Sequence, residues 1–161
     1  MQVNRLDDRY DRRHVKRIET EITIAGTPER VWSVLTDLAR YPDWNPFIRR
    51  ASGHVRPGAR LELRIHPPGG RAMTFRPIVR EASPGRELRW LGHLGIPGLF
   101  DGEHAFTLEP SGVGGTHVRH REEFRGVLPH LLPRSMFERT RAGFEAMNRA
   151  LKAAVEGTPN R

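Results

Sequence analysis

Hydrophobic and polar positions change their period three times along the chain, and each change marks the start of a new element or group of elements. Ile18, Thr20, Ile22 and Ile24 alternate with Arg17, Glu19, Glu21 and Thr23, the period-two pattern of a strand with one buried face. Thr27-Pro28-Glu29 then opens the run VWSVLTDL. A threonine that can cap, followed by proline at the first helical position, predicts a helix start. Pro42 and Pro46 flank Asp43-Trp44-Asn45 and leave room only for a turn or a short helical piece. After Phe47 period two returns in six runs, at 48–55, 60–66, 72–81, 87–92, 101–109 and 116–124, separated by glycine- and proline-rich turns. The last stretch, 135–156, has period 3.6. Phe137, Thr140, Phe144, Met147, Leu151 and Val155 share one side, and Glu138, Arg139, Glu145, Arg149, Lys152 and Glu156 share the other. Ser135, with Glu138 three positions on, predicts a capping box at its start, and Gly157 with Pro159 predicts its end.

One strand, a helical pair, six strands and a long helix predict an α+β fold: a seven-stranded antiparallel meander with one face covered by the terminal helix. Residues 14–157 read as a single domain, after a charged lead-in at 1–13 and before a tail at 158–161. Gly143 is the weak point of the long helix, because glycine costs about 1 kcal/mol relative to alanine there. Its place at the border of the apolar face marks a position where bulk is unwelcome. If that space belongs to a ligand, Gly143→Leu fills it while stability holds or rises.

The formal net charge is +8, and 25 of the 27 basic residues are arginine. Dispersed over outward strand positions and the helix surface, they read as a solvated face and not as a specific nucleic-acid site, for which no aromatic–basic platform is present. With no cysteine, thiol chemistry, disulfides and thiolate metal sites are excluded. No apolar run approaches the roughly 20 residues of a membrane span, and the first residues are charged, so a cytoplasmic protein is expected. Gly112–Gly115 has the context of a hairpin turn, not of a dinucleotide loop, and no phosphate loop, His-Glu-x-x-His or Gly-x-Ser-x-Gly run occurs. No cofactor is expected, and the oligomeric state stays open.

Alternation proposes which side chains line the space under the helix. From the first half of the chain these are Trp44, Phe47, Leu63, Ile65, Met73 and Phe75; from the second, Trp90, Phe100, Phe106, Phe124, Phe144 and Met147, with Gly143 on the rim. Each can be ordinary core, but as a set they fit a concave site. The polar residues of the same faces carry more information. His120 and Glu122 share the side of Val118 and Phe124, and His104 shares the side of Phe106 and Leu108. Pairing Leu108 with Thr116 would set Phe106 against Val118 and His104 directly against His120. Two imidazoles and a carboxylate then converge in an apolar setting. They can simply satisfy one another, anchor a ligand's oxygen, or act as acid and base. Their donor set also suits zinc, but the strand-borne spacing equally suits a hydrogen-bonded cluster, and no metal is expected.

The run TPERVWSVLTDLARYPDWNPFIRRA, the paired PGARLELRI and PGRELRW, and the late HREEFRG before a terminal helix resemble the polyketide cyclase/dehydrase-type branch of the START-like (SRPBCC, Bet v 1-like) superfamily. The resemblance covers roughly residues 16 to 156. It implies a helix-grip fold, in which the sheet curls around the C-terminal helix and leaves an apolar cavity. Members implied by it include ring-closing cyclases and carriers of lipids and isoprenoid quinones. Three functions therefore stand side by side: a carrier for an apolar or polycyclic ligand, a cofactor-independent cyclase/dehydratase using His120, Glu122 and His104, and an interaction module working through its surface.

Overall fold

The computed structural model describes residues 15–157; the lead-in and the tail lie outside them. Strand β1 (Lys16–Ile24) leads into helix α1 (Pro28–Thr36), a 3-10 turn (Leu38–Arg40) and the short helix α2 (Tyr41–Trp44). The Thr27 side chain accepts from the Arg30 N–H, with Pro28 at the first helical position, as expected of this cap. Strands β2 (Ile48–Gly53), β3 (Leu61–Ile65), β4 (Met73–Phe75), β5 (Ile78–Ser83), β6 (Glu87–His93), β7 (Asp101–Ser111) and β8 (Gly115–Arg125) follow. The chain closes with a single helical turn, α3 (Leu128–Leu131), and the long helix α4 (Arg134–Glu156).

Among the described residues the strands number eight in two sheets, where the sequence pattern predicts seven in one. The larger sheet has the order β1-β8-β7-β6-β5 and the smaller β2-β3-β4. The difference lies at Arg76-Pro77, inside the run read as a single strand. Proline has no N–H to give a ladder, so the run breaks there: Met73–Phe75 pairs with β3, while Ile78–Ser83 turns to pair with β6. The two sheets still meet at an Arg60–Ile78 bridge, where the Leu61 N–H donates to the Pro77 carbonyl at 2.9 Å. The result is one curved antiparallel wall around the helix, the helix-grip architecture.

Helix α4 buries Phe144, Met147, Leu151 and Val155 against Ile18, Ile24, Leu35, Leu88 and Phe106, the apolar stripe expected from its period. It also covers the free edge of β1. Arg141 donates to the Glu19 carbonyl and Lys152 to the Thr23 carbonyl, which occupies acceptors that an open edge leaves exposed. The expected Ser135 cap does not form. The helix begins at Arg134 after Pro133, with no side-chain cap, and Glu138 instead pairs with Arg134 one turn back. Gly157, with φ 73°, ends it, while Pro159 lies outside the described residues. No helix among the described residues is long and apolar enough to cross a membrane.

Candidate functional site

The β7–β8 hairpin decides the geometry of the polar cluster, and its register differs from the expected one. Ser111 pairs with Gly115, so only Gly112, Val113 and Gly114 form the turn. Gly112 and Gly114 have φ 59° and 71°, a backbone state that side chains disfavour and glycine allows, so the turn closes tighter than the six residues at 110–115 suggest. Every pair moves by two: Leu108 faces Val118, Phe106 faces His120 and His104 faces Glu122. A slip of two keeps each side chain on its side of the sheet. His104, His120 and Glu122 therefore still point inward, but the direct neighbour of His104 is Glu122, and His120 lies on its diagonal.

The contacts form a line. Glu122 Oε2 lies 3.3 Å from His104 Nδ1, and His104 Nε2 lies 2.9 Å from His120 Nε2. His120 Nδ1 then meets Asn148 Oδ1 at 2.8 Å, Asn148 Nδ2 donates to Thr20 Oγ1 at 2.9 Å, and the Thr20 hydroxyl donates to the His120 carbonyl. Because the Thr20 proton goes to that carbonyl, Thr20 Oγ1 accepts from the Asn148 nitrogen, and the amide oxygen faces His120. His120 Nδ1 must donate to it, which leaves Nε2 as an acceptor for the His104 Nε2–H. A neutral His104 then has an accepting Nδ1, and its partner must carry a proton: Glu122 in its acid form. Moving that one proton onto His104 gives a carboxylate–imidazolium pair with all other bonds unchanged.

Burial selects between these two forms. His104 and His120 are almost completely enclosed. The Trp90 ring stacks on His104 at 4.6 Å, and the Phe144 ring stacks on His120 at 3.9 Å. Loss of water disfavours every charged form. It pushes His104 down to about 3 and Glu122 up to about 8. His120 lies well below its usual range, through burial first and the neighbouring His104 second, against the pull of the Asn148 bond. At neutral pH the pair is an acid O–H facing an imidazole nitrogen, so the charge attraction expected between imidazolium and carboxylate gives way to desolvation.

Beside this pair lies a cavity of about 470 Å³, within the range of small-molecule sites. Phe47, Leu63, Ile65, Met73, Phe75, Trp90, Phe100 and Phe124 line it as expected, together with His104 and Glu122. The 18% exposure of the Glu122 side chain faces this space. Six expected residues are not in the lining. His120 stands behind His104 and, with Phe106, Phe144 and Met147, is fully buried. Trp44 borders a separate groove between α1 and α4. Gly143 is buried against the Phe47 ring, where a Cβ would come within 2.3 Å of Cδ2, so the missing bulk makes room for a wall residue and not for a ligand.

Two residues that shape the site, Asn148 and Gly102, escaped the sequence reading, and each left a signal. Asn148 follows Met147 on the apolar stripe of α4, and a buried amide on such a stripe needs a partner. Gly102 sits inside β7, where an added Cβ would lie 2.7 Å from Glu122 Oε1; glycine within a strand marks a close approach. Asn45 receives the Phe47 and Ile48 N–H groups at 2.9 and 2.8 Å and so holds the Phe47 wall. Asn148→Leu, with the same number and branching of side-chain heavy atoms, is expected to cost at least about 1 kcal/mol by leaving the His120 Nδ1–H unsatisfied. Urea denaturation measures it, and an unchanged midpoint would show that the relay needs no anchor.

Residues 16–156 match the family described as polyketide cyclase / dehydrase and lipid transport. No curated protein matches the chain. Among solved structures, a START superfamily protein from Mycobacterium smegmatis has a TM-score of 0.70 at 22% identity, over 89% of this chain and 99% of its own. The Zhui aromatase/cyclase from Streptomyces sp. R1128 has 0.72 at 18% identity, over 89% and 94%. The di-domain ARO/CYC StfQ of the steffimycin biosynthetic pathway has 0.69 at 19%, over 93% of this chain and 53% of that one. At these identities the likeness to the solved structures is one of fold, whereas the match over 16–156 is one of sequence, and by it the chain belongs to the polyketide cyclase / dehydrase and lipid transport family.

Proposed function

We propose that the protein binds an apolar, ring-containing small molecule, polyketide- or lipid-like, whose carbonyl or hydroxyl oxygen is held by Glu122 and His104. One observation carries this reading: apart from the exposed Arg71, His93, Ser135 and Arg139, the lining is apolar but for Thr140 and the His104–Glu122 pair, whose 3.3 Å contact can open to give a ligand's oxygen the carboxyl donor and the imidazole acceptor. Thr140, the other partly buried polar residue of the lining, spends its hydroxyl on the Met136 carbonyl. His120, Asn148 and Thr20 act behind the pair by fixing which nitrogen of His104 carries hydrogen.

The same pair suits proton transfer, which favours a cyclase/dehydratase as the second reading. An acid that titrates near neutrality is matched to such work. In aldol closure His104 Nδ1 would take a proton from an activated methylene while Glu122 gives one to the carbonyl oxygen under attack. Loss of water reverses the exchange, His104 giving its proton to the leaving hydroxyl and Glu122 taking one from the neighbouring carbon, so protons balance without a cofactor.

Paired probes test the anchor. Quenching of Trp90 fluorescence by 1-naphthol and by naphthalene compares two rings that differ by one hydroxyl. His104→Leu is expected to weaken 1-naphthol about tenfold, the scale of a polar contact left unmade, and to leave naphthalene unchanged. Equal losses for both probes would remove the polar anchor, and no binding of either by the wild type would remove the ligand-binding function.

A further inference from the structure

Large apolar side chains are exposed almost entirely at one end of the molecule. Of the seven such residues among those described, only Val113 lies elsewhere, at the β7–β8 turn. Met73 and Leu94 line the cavity and are about half exposed. Ile96 and Leu99 belong to the loop between β6 and β7, whose ends, Leu94 and Phe100, are both in the lining. Val127 precedes α3 and Leu131 ends it, next to Leu132 of the lining. The two segments touch, because the Leu128 N–H donates to the Leu99 carbonyl. Ile96, Val127 and Leu131 are 71%, 65% and 74% exposed. A rim of this kind, gathered at a cavity mouth, marks an interaction surface and not scattered surface residues.

Charge indicates what the rim meets. Arg71 and Arg139 lie on the cavity lining and are exposed, and among the described residues no carboxylate pairs with either. The chain as a whole carries +8. Projecting apolar tips beside free guanidinium groups match a bilayer surface, where the tips enter the acyl boundary and the cations meet lipid phosphates. A second copy fits worse, because a two-fold contact through the mouth would bring four unpaired guanidinium groups together.

We propose that the mouth of the cavity is a docking face for anionic lipid membranes, seated by Ile96 and Leu131 and steered by Arg71 and Arg139. Its purpose rests on the ligand-binding reading above: an apolar ligand held in a bilayer reaches the cavity through such a face without crossing water. The surface itself can be tested without any ligand.

The experiment is sedimentation of the full chain with vesicles of phosphatidylcholine alone and of phosphatidylcholine mixed with phosphatidylglycerol. Binding to the mixed vesicles, weakening as salt rises, is expected. The Ile96→Ser/Leu131→Ser double variant is expected to lower partitioning at least about tenfold while still binding 1-naphthol, which shows an intact fold. Arg71→Gln with Arg139→Gln is expected to lower it about thirtyfold at low salt and to erase the preference for the anionic lipid. Absence of vesicle binding overturns the proposal. So does equal binding by the Ile96/Leu131 variant, which would reduce the effect to diffuse attraction by net charge. Self-association lost in that variant, without vesicle binding, would assign the rim to a protein contact instead. Vesicle binding by a wild type that takes up no 1-naphthol would leave the docking face standing and the ligand-binding reading rejected.

Discussion

Gly143→Leu is expected to destabilise the protein by about 2 kcal/mol. On helix propensity alone leucine should gain about 1 kcal/mol over glycine, so the sign of the result separates two accounts of this residue. A Cβ at this position would lie 2.3 Å from Phe47 Cδ2 and 2.6 Å from Cε2, and leucine adds three more carbons beyond it. Phe47 has little freedom to yield. Its backbone N–H is held by Asn45 Oδ1, and its ring packs edge-on against Phe144 at 5.5 Å. The ring can move only toward the cavity it lines, and overpacking of a fixed wall costs about 3 kcal/mol, more than the helix gains. Urea denaturation should show the lower midpoint, and 1-naphthol binding should fall with it as Phe47 enters the cavity. A midpoint that holds or rises would restore the reading of Gly143 as a guard of ligand space.

Raising the pH from 6.5 to 9 is expected to cost the wild type about 2 kcal/mol of stability, and Glu122→Gln should lose this slope. Glu122 has its folded value raised from 4.5 to about 8 by burial. The folded state therefore binds more protons than the unfolded one between these values, and stability falls as pH rises through that window. His104 acts in the opposite sense. Its folded value, lowered from 6.5 to about 3, makes the unfolded state the better proton binder, so stability rises with pH up to about 6.5 and is flat beyond. His120 adds to this acid limb in the same direction. Above 6.5 only the Glu122 slope remains of the three, which puts maximal stability near that pH. Denaturant midpoints at pH 6.5 and 9, for wild type and Glu122→Gln, measure it. Equal slopes in the two proteins would show that the folded His104–Glu122 pair holds no extra proton above pH 6.5, with Glu122 ionised and His104 neutral.

Local order and facing were legible in the sequence because they depend on short-range periods. Alternation along β7 and β8 points His104, His120 and Glu122 inward whatever the pairing, since even a slip of two residues preserves the side. The 3.6 period of α4 likewise places Phe144, Met147, Leu151 and Val155 on the buried face. Thr27-Pro28 starts a helix through bonds made within a single turn. The reading of 72–81 as one strand passed over Pro77, which separates β4 from β5.

Depth and partnership were decided only by the tertiary structure. Phe75 and Phe106 both face inward by the same alternation, yet Phe75 lines the cavity while Phe106 packs on His120 with rings 4.2 Å apart. Which of them meets open space depends on where each strand runs relative to α4, whose N-terminal turns, with Met136 and Arg139, border the cavity, while the turns from Phe144 onward are packed. Asn148 and Thr20 lie 28 and 100 positions from His120, and no local pattern links them. The protonation of Glu122 follows from that assembly as well. It is set by the walls that exclude water and by an amide from another element, which together choose the neutral form of a group that alone in water would be ionised.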